Sequence, residues 1–154
     1  MAFAHFEQEA GIPIGADHAG FPLKQKLVDE LKKLGYDPID VGTNSLDSAD
    51  YPDYAHPVAH QVEAGEAKRG VLLCGTGLGM SYAANRHHGV RAAVAWTPEI
   101  AQLARQHNDA NVLVLPARFV SEDEGVAILK AWLDTPFEGG RHSRRVAKIE
   151  TDTP

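Results

Sequence analysis

A chain of 154 residues that is 44% hydrophobic can bury one substantial core and is short for two ordinary domains. Fifteen lysines and arginines against 21 acidic residues give a formal charge of −6, which excludes a general basic field for nucleic acid or an anionic membrane surface, so any anion is bound locally. The single cysteine excludes an intrachain disulfide, and with neither a secretory pattern near Met1 nor an apolar run of membrane-spanning length, a soluble cytoplasmic protein is predicted.

Met1 to Gly11 reads as an N-terminal extension ahead of one domain over 12–150. Short β-type runs are predicted at Ile12–Ala16, Pro38–Val41, Val71–Cys74, Ala92–Trp96 and Val112–Leu115. Pro13 falls inside the first run and cannot donate to a ladder, so that strand is expected to begin after it or to be loosened there. Leu23, Leu27, Leu31 and Leu34 share one helical face and Gly35 stops the helix; Tyr54, Val58 and Val62 repeat the spacing before Gly65. Gly42 to Asp53 has no apolar period and reads as a loop. A helix through Ser81 to Asn85 follows the third strand. Thr97 and Pro98 form an N-cap and first helical residue for a helix reaching His107, and Ser121 with Glu124 is a capping box before Val126–Leu133. Strand and helix alternate five times, which predicts an α/β parallel sheet with helices on both faces and right-handed crossovers. The tail from Gly139 to Lys148 is basic, carrying Arg141, Arg144, Arg145 and Lys148 in an acidic chain.

In such a sheet ligands lie beyond the carboxyl ends of the strands. Those ends hold Asp17-His18-Ala19-Gly20, then Cys74-Gly75-Thr76-Gly77-Leu78-Gly79, then Thr97, then Arg118. Gly75, Gly77 and Gly79 let the backbone approach a ligand and turn its amides inward, next to a helix start, which makes an anion nest. The spacing G-x-G-x-G is not the dinucleotide fingerprint, a phosphate-loop lysine is missing, and Met80 stands where a cysteine phosphatase needs arginine. Cys74 therefore has two readings: a small buried hydrophobe, or a proton-transferring base whose thiolate is favoured by the helix start and whose loop amides hold an oxyanion.

The other polar groups also carry plain readings. Asp17 serves as an N-cap of the first helix, with His18 beside it on the surface. His56 and His60, one turn apart, lack a third ligand or a glutamate base and read as a solvated helix face rather than a zinc site. His87 and His88 point apart, and Tyr51 says nothing alone. Arg141 and Arg145 share a helix face after Gly139-Gly140 and either fork a phosphate or form a solvated tail. His107 and Asn108 end a helix, at the sheet edge opposite Cys74. If they serve a site, a two-fold dimer that lends this corner to the neighbour is the simplest arrangement.

Taken in order, Gly15-Ala16-Asp17-His18-Ala19-Gly20-Phe21, Asp50-Tyr51-Pro52, Cys74 to Gly79, Arg105-Gln106-His107-Asn108-Asp109 and Gly139-Gly140-Arg141-His142 resemble the family of ribose-5-phosphate isomerase B and the galactose-6-phosphate isomerase subunits, over about Ile12 to Ile149. The resemblance implies a Rossmann-like, doubly wound five-stranded parallel sheet in a three-layer αβα sandwich. It implies a homodimer with a shared site, or a tetramer, and neither metal nor cofactor. The activity implied is aldose-ketose isomerisation of ribose 5-phosphate to ribulose 5-phosphate through an enediolate. The alternatives are an allose or galactose 6-phosphate isomerase and a catalytically silent sugar-phosphate sensor.

By the same resemblance Cys74 is the base between C1 and C2, Thr76 with the Gly75, Gly77, Leu78 and Gly79 amides cradles the enediolate, and His107 assists ring opening with Asp17 nearby. Asn108, Arg118, Arg141 and Arg145 bind substrate, the arginines chiefly its phosphate, while Asp17, His18 and Tyr51 line the pocket. Some relatives carry a glutamate further along the loop in place of the cysteine; this sequence has no carboxylate there. Pro116 stands where glycine is common, just before Arg118, which bears on how that arginine points.

Overall fold

The computed structural model describes residues 9–151, so most of the extension, Met1 to Gln8, lies outside the described residues. Five parallel strands form one sheet: β1 (Ile12–Ala16), β2 (Pro38–Gly42), β3 (Gly70–Cys74), β4 (Ala92–Val94) and β5 (Val112–Pro116), in the order β2-β1-β3-β5-β4. Between and after them run α1 (Phe21–Lys33), α2 (Pro52–Glu63), α3 (Leu78–Ala84), α4 (Pro98–Asn108), α5 (Glu122–Asp134) and α6 (Arg141–Ala147).

Strand order and right-handed crossovers together dictate the layers. A step in one direction along the sheet places its helix on one face, and a step back places it on the other. The steps β1 to β2 and β4 to β5 run one way, so α1 and α4 share a face, with α5 packed beside α4. The steps β2 to β3 and β3 to β4 run the other way, so α2 and α3 share the opposite face. The fold is thus a Rossmann-like doubly wound α/β sandwich of three layers.

Period-two alternation divides the core accordingly. Val71, Leu73, Leu113 and Leu115 pack with Leu23, Leu27, Leu31, Ile128 and Trp132 under α1 and α5. Leu72, Cys74, Val112 and Val114 pack with Val58, Met80 and Ala84 under α2 and α3. Because β3 and β5 are buried on both faces, their sequences are unbroken apolar runs rather than alternating ones.

Local chemistry explains where elements begin and end. Thr97 Oγ1 accepts the Ile100 N–H at 3.2 Å and Ser121 Oγ accepts that of Glu124 at 3.1 Å, the latter completing the predicted capping box. Three expectations are corrected. β1 starts at Ile12, ahead of Pro13: the Ile12 N–H donates to Asp37 on the β2 side, so alternation aims the missing Pro13 N–H at β3, where pairing begins only at Ile14 with Val71. β4 ends at Val94 rather than Trp96, because the chain leaves the edge after one further bond from Ala95 N–H to Val114, and Trp96 turns outward. α3 starts at Leu78, not Ser81, since Gly77 supplies the left-handed turn (φ 78°) that opens it.

The last residues of the extension are tied to the domain. Glu9 accepts two hydrogen bonds from Arg69, from Nε at 3.0 Å and Nη2 at 2.7 Å, with side-chain exposures of only 1% and 2%. Arg69 also donates to the Leu133 carbonyl and stacks its guanidinium over Trp132 at 5.1 Å. Among the described residues no helix is long and apolar enough to cross a membrane.

Candidate active site

β1 and β3 are neighbours, but their following helices leave to opposite faces, so their carboxyl ends flank the crevice where doubly wound sheets bind ligands. A cavity of about 330 Å³ opens there, lined by Asp17, Tyr51, Cys74, Gly75, Thr76, Gly79, Tyr82 and Arg118. Four separate stretches of chain meet in it.

Each group is held by backbone. Asp17, buried at the end of β1, donates its N–H to Leu73 at 3.2 Å, and its Oδ1 accepts the N–H groups of Ala19 and Gly20 at 3.0 and 3.1 Å. This corrects the N-cap reading: α1 is capped by Gly20, and Asp17 instead closes the preceding turn, while no donor among the described residues reaches its Oδ2. Cys74 is 5% exposed, and its carbonyl accepts the Ala117 N–H at 2.8 Å, as that of Gly75 accepts Arg118 N–H at 3.0 Å. Those two bonds dock the β5 turn beside the β3 loop. Pro116 pairs with Cys74 at the end of the ladder and opens the turn closed by the Phe119 N–H, so Arg118 reaches back into the cavity.

The three glycines answer to different demands. At Gly77 the positive φ excludes other residues without strain. At Gly79 an added Cβ would fall 2.5 Å from the Tyr51 ring, and at Gly75 one would fall 3.2 Å from Arg118 Cδ. Two of the three thus make room for cavity side chains. Thr76 is exposed over the loop, and its Oγ1 accepts the Leu78 N–H at 3.2 Å, which leaves the next first-turn amides without an intrahelical partner.

The remaining candidates lie elsewhere. His18 Nδ1 accepts the Ala49 N–H at 3.1 Å, pinning the 43–51 loop rather than lining the cavity. His107 and Asn108 close α4 at the amino edge of the sheet, and Arg141 and Arg145 stand exposed one turn apart on α6, with no carboxylate paired to either among the described residues. A larger cavity of about 580 Å³ at that edge includes Asn108, Arg91 and His88, but its walls bring together neither the thiol nor the glycine loop. Among the described residues His56 and His60 join no three-ligand cluster; His56 Nδ1 lies 2.8 Å from His87 Nε2, and His87 donates toward Glu63 Oε2 at 2.9 Å. His88 turns instead to Glu150 at 3.0 Å.

Two residues that the sequence did not single out join these places. Tyr82 sits one turn beyond Gly79 on α3 and overhangs the cavity; its only signal was that helical spacing. His142 stacks on His107, with ring centroids 4.3 Å apart and planes 14° from parallel. Burial, then the charges of His107 and Arg141, hold its imidazole pKa below the ordinary value. Its signal was adjacency to Arg141.

Residues 12–149 match the family described as Ribose/Galactose Isomerase. The chain is 49% identical over 138 residues to ribose-5-phosphate isomerase B of Escherichia coli K12, covering 90% of this chain and 93% of that protein. The crystal structure of a ribose 5-phosphate isomerase from Thermotoga maritima superposes with a TM-score of 0.88 at 51% identity, covering 91% and 97% of the two chains. Ribose-5-phosphate isomerase B from Mycoplasma genitalium with bound ribulose-5-phosphate gives a TM-score of 0.88 at 44% identity, covering 90% and 93%. With its sheet, its crevice motifs and nearly its whole length shared with these proteins, the chain belongs to the Ribose/Galactose Isomerase family.

Proposed function

We propose that this protein is a cytoplasmic aldose-ketose isomerase that interconverts ribose 5-phosphate and ribulose 5-phosphate. The observation that carries the reading is the convergence of the Cys74 thiol, the Asp17 carboxylate and the Arg118 guanidinium on one small cavity over the β1–β3 crevice. The names of the relatives support the substrate, one of them holding ribulose-5-phosphate.

In this mechanism the open-chain aldose lies with C1 and C2 over Cys74. The thiolate takes the C2 proton, the carbonyl oxygen at C1 gains negative charge, and the resulting enediolate is held by amides of the Gly75–Gly79 loop with Thr76. Return of the proton to C1, with transfer of the O2 proton to O1, gives the ketose. Asp17, with Oδ1 already spent on two amides, keeps Oδ2 for a sugar hydroxyl. Arg118 anchors the distal, anionic end of the substrate.

Ring opening needs an acid, and among the described residues of one chain no imidazole lines the cavity. The proposed site is completed in a two-fold homodimer by His107 of the partner subunit, with the partner's Asn108, Arg141 and Arg145. Their position at the opposite edge and the exposure of the two arginines support this arrangement.

The test is ketose formation by metal-stripped protein from a panel of ribose, allose and galactose phosphates. Ribose 5-phosphate is expected to turn over, with no change on adding a chelator. A clear hexose preference would move the substrate and keep the chemistry. No turnover of any member would overturn the enzyme reading and leave a sugar-phosphate sensor.

A further inference from the structure

We infer that His107, Glu138 and His142 form a binding site for a borderline divalent cation of the Zn²⁺ class, and that its occupancy inhibits the enzyme by capturing His107.

The three residues come from separate segments: the last turn of α4, the 135–140 connection and the first turn of α6. The Glu138 N–H donates to the Gln106 carbonyl at 3.1 Å and that of His142 to Gly139 at 3.1 Å, so backbone holds the carboxylate and the second imidazole against the end of α4. One ligand atom from each residue lies within 4.8 Å of the other two. Glu138 Oε1 stands 3.8 Å from His107 Nε2 and 3.5 Å from His142 Nε2. Zinc bonds of about 2.0–2.1 Å in tetrahedral array set ligand atoms roughly 3.3 Å apart, so the two Glu138 pairs stand near closure, while bringing the two imidazole nitrogens onto one ion takes a rotation of one ring. Two imidazoles and a carboxylate with a fourth position open is a donor set that zinc adopts.

An independent feature points to a ligand. His142 is 6% exposed, yet its Nε2 has no hydrogen-bond partner among the described residues, the nearby Glu138 oxygen lying outside hydrogen-bond geometry. A buried ring nitrogen without a partner is costly to keep, and a bound ion would satisfy it.

The arrangement also predicts what binding does. In-plane lone pairs of two nearly parallel rings run side by side, so the stack must splay before both can meet one ion. His142 is enclosed, whereas the His107 side chain is 40% exposed, so His107 is the ring that tilts. Coordination then occupies Nε2 of the imidazole assigned to ring opening. Arg141, adjacent on α6, opposes a second positive charge, which favours reversible occupancy over a resident metal. Inhibition rests on the proposed role of His107; binding of the ion does not.

The experiment uses full-length protein stripped with a chelator and dialysed. Equilibrium dialysis with Zn²⁺ is expected to give one ion per subunit at this site, and Co²⁺ the visible bands of a tetrahedral centre without a thiolate charge-transfer band. Zn²⁺ should inhibit isomerisation, and chelator should restore it. Glu138→Gln, at a half-exposed position outside the catalytic set, should keep basal activity while binding and inhibition weaken at least about tenfold. Cys74→Ala and His87→Ala should bind Zn²⁺ as the wild type does. Loss of binding in either of those, or unchanged binding in Glu138→Gln, overturns the site. Binding at the site with unaltered turnover overturns the inhibitory role and leaves the isomerase reading standing. If metal-stripped protein turns over no sugar phosphate, the proposed function fails, and dialysis with cobalt spectroscopy still decides the site.

Discussion

The two edges of the sheet are built on different terms. At the carboxyl edge, Asp17, Cys74, Gly75 and Arg118 are fixed by backbone hydrogen bonds between neighbouring strand ends, and their functional atoms converge on one cavity. At the amino edge, His107, Arg141 and Arg145 stand on short helical ends, and the two arginines are exposed, with no carboxylate among the described residues paired to them. Both edges carry residues of the same motif set. The difference teaches that one chain preorganises the proton-transfer half of the proposed site and only displays the ring-opening and phosphate half. In this fold helices run antiparallel to the strands, which sets the C-terminus of α4 at the edge away from its own crevice, and the proposed site therefore draws its second half from another copy.

The contrast is broken most directly at its centre. Cys74→Ala is expected to lower kcat by about 10²- to 10⁴-fold with the fold and substrate affinity nearly intact, measured by steady-state kinetics and near-UV dichroism; a loss under roughly tenfold would remove the thiol from proton transfer. Next comes subunit mixing. His107→Ala and Cys74→Ala, each inactive, are mixed one to one under exchange confirmed by mass spectrometry. Half of the dimers are then mixed, each with one intact site of two, so recovery should approach about a quarter of wild-type activity if the site is shared across a two-fold axis. Exchange without recovery would return His107 to its own chain.

Arg141→Ala sharpens the phosphate half. Losing a charge-assisted contact far from the reacting carbons should raise KM by roughly 10- to 100-fold with a smaller loss in kcat, and unchanged parameters would restore the solvated tail. The smallest effect lies at one paired carboxylate of the amino edge, Glu63 beside His87. The hydrogen bond from His87, reinforced by the His88 N–H, holds the Glu63 pKa below its ordinary value of 4.5. A carboxylate depressed in the folded state adds stability above its unfolded pKa, and loses it as pH falls through the folded one. The difference in urea midpoint between wild type and Glu63→Gln should therefore be small near pH 6 and vanish toward pH 3.

Much of this was legible in one dimension, and the misses have a common cause. Strands buried on both faces leave unbroken apolar runs, and caps such as Thr97 and Ser121 act within four residues, so the element order could be read directly. The Cys74 loop was legible because a tight turn needs Gly77 whatever surrounds it. Pro13 misled because a proline is tolerated or not according to which neighbour its missing N–H would face, and strand order alone settles that. Asp17 looked like a helix cap, because distance along the chain does not reveal that its turn closes before α1 begins.

What the sequence by itself determined is therefore local: the alternation of strand and helix, the caps, the glycine turn, and the presence of a thiol, an imidazole and arginines in motifs of one family. Tertiary structure decided which of them meet. Tyr82 overhanging the cavity, Gly79 making room for Tyr51, Glu9 neutralising Arg69 and His142 stacked on His107 all join residues from separate segments. Such contacts depend on strand order and on which face each helix covers, and those are set by burial and crossover handedness acting on the whole chain at once.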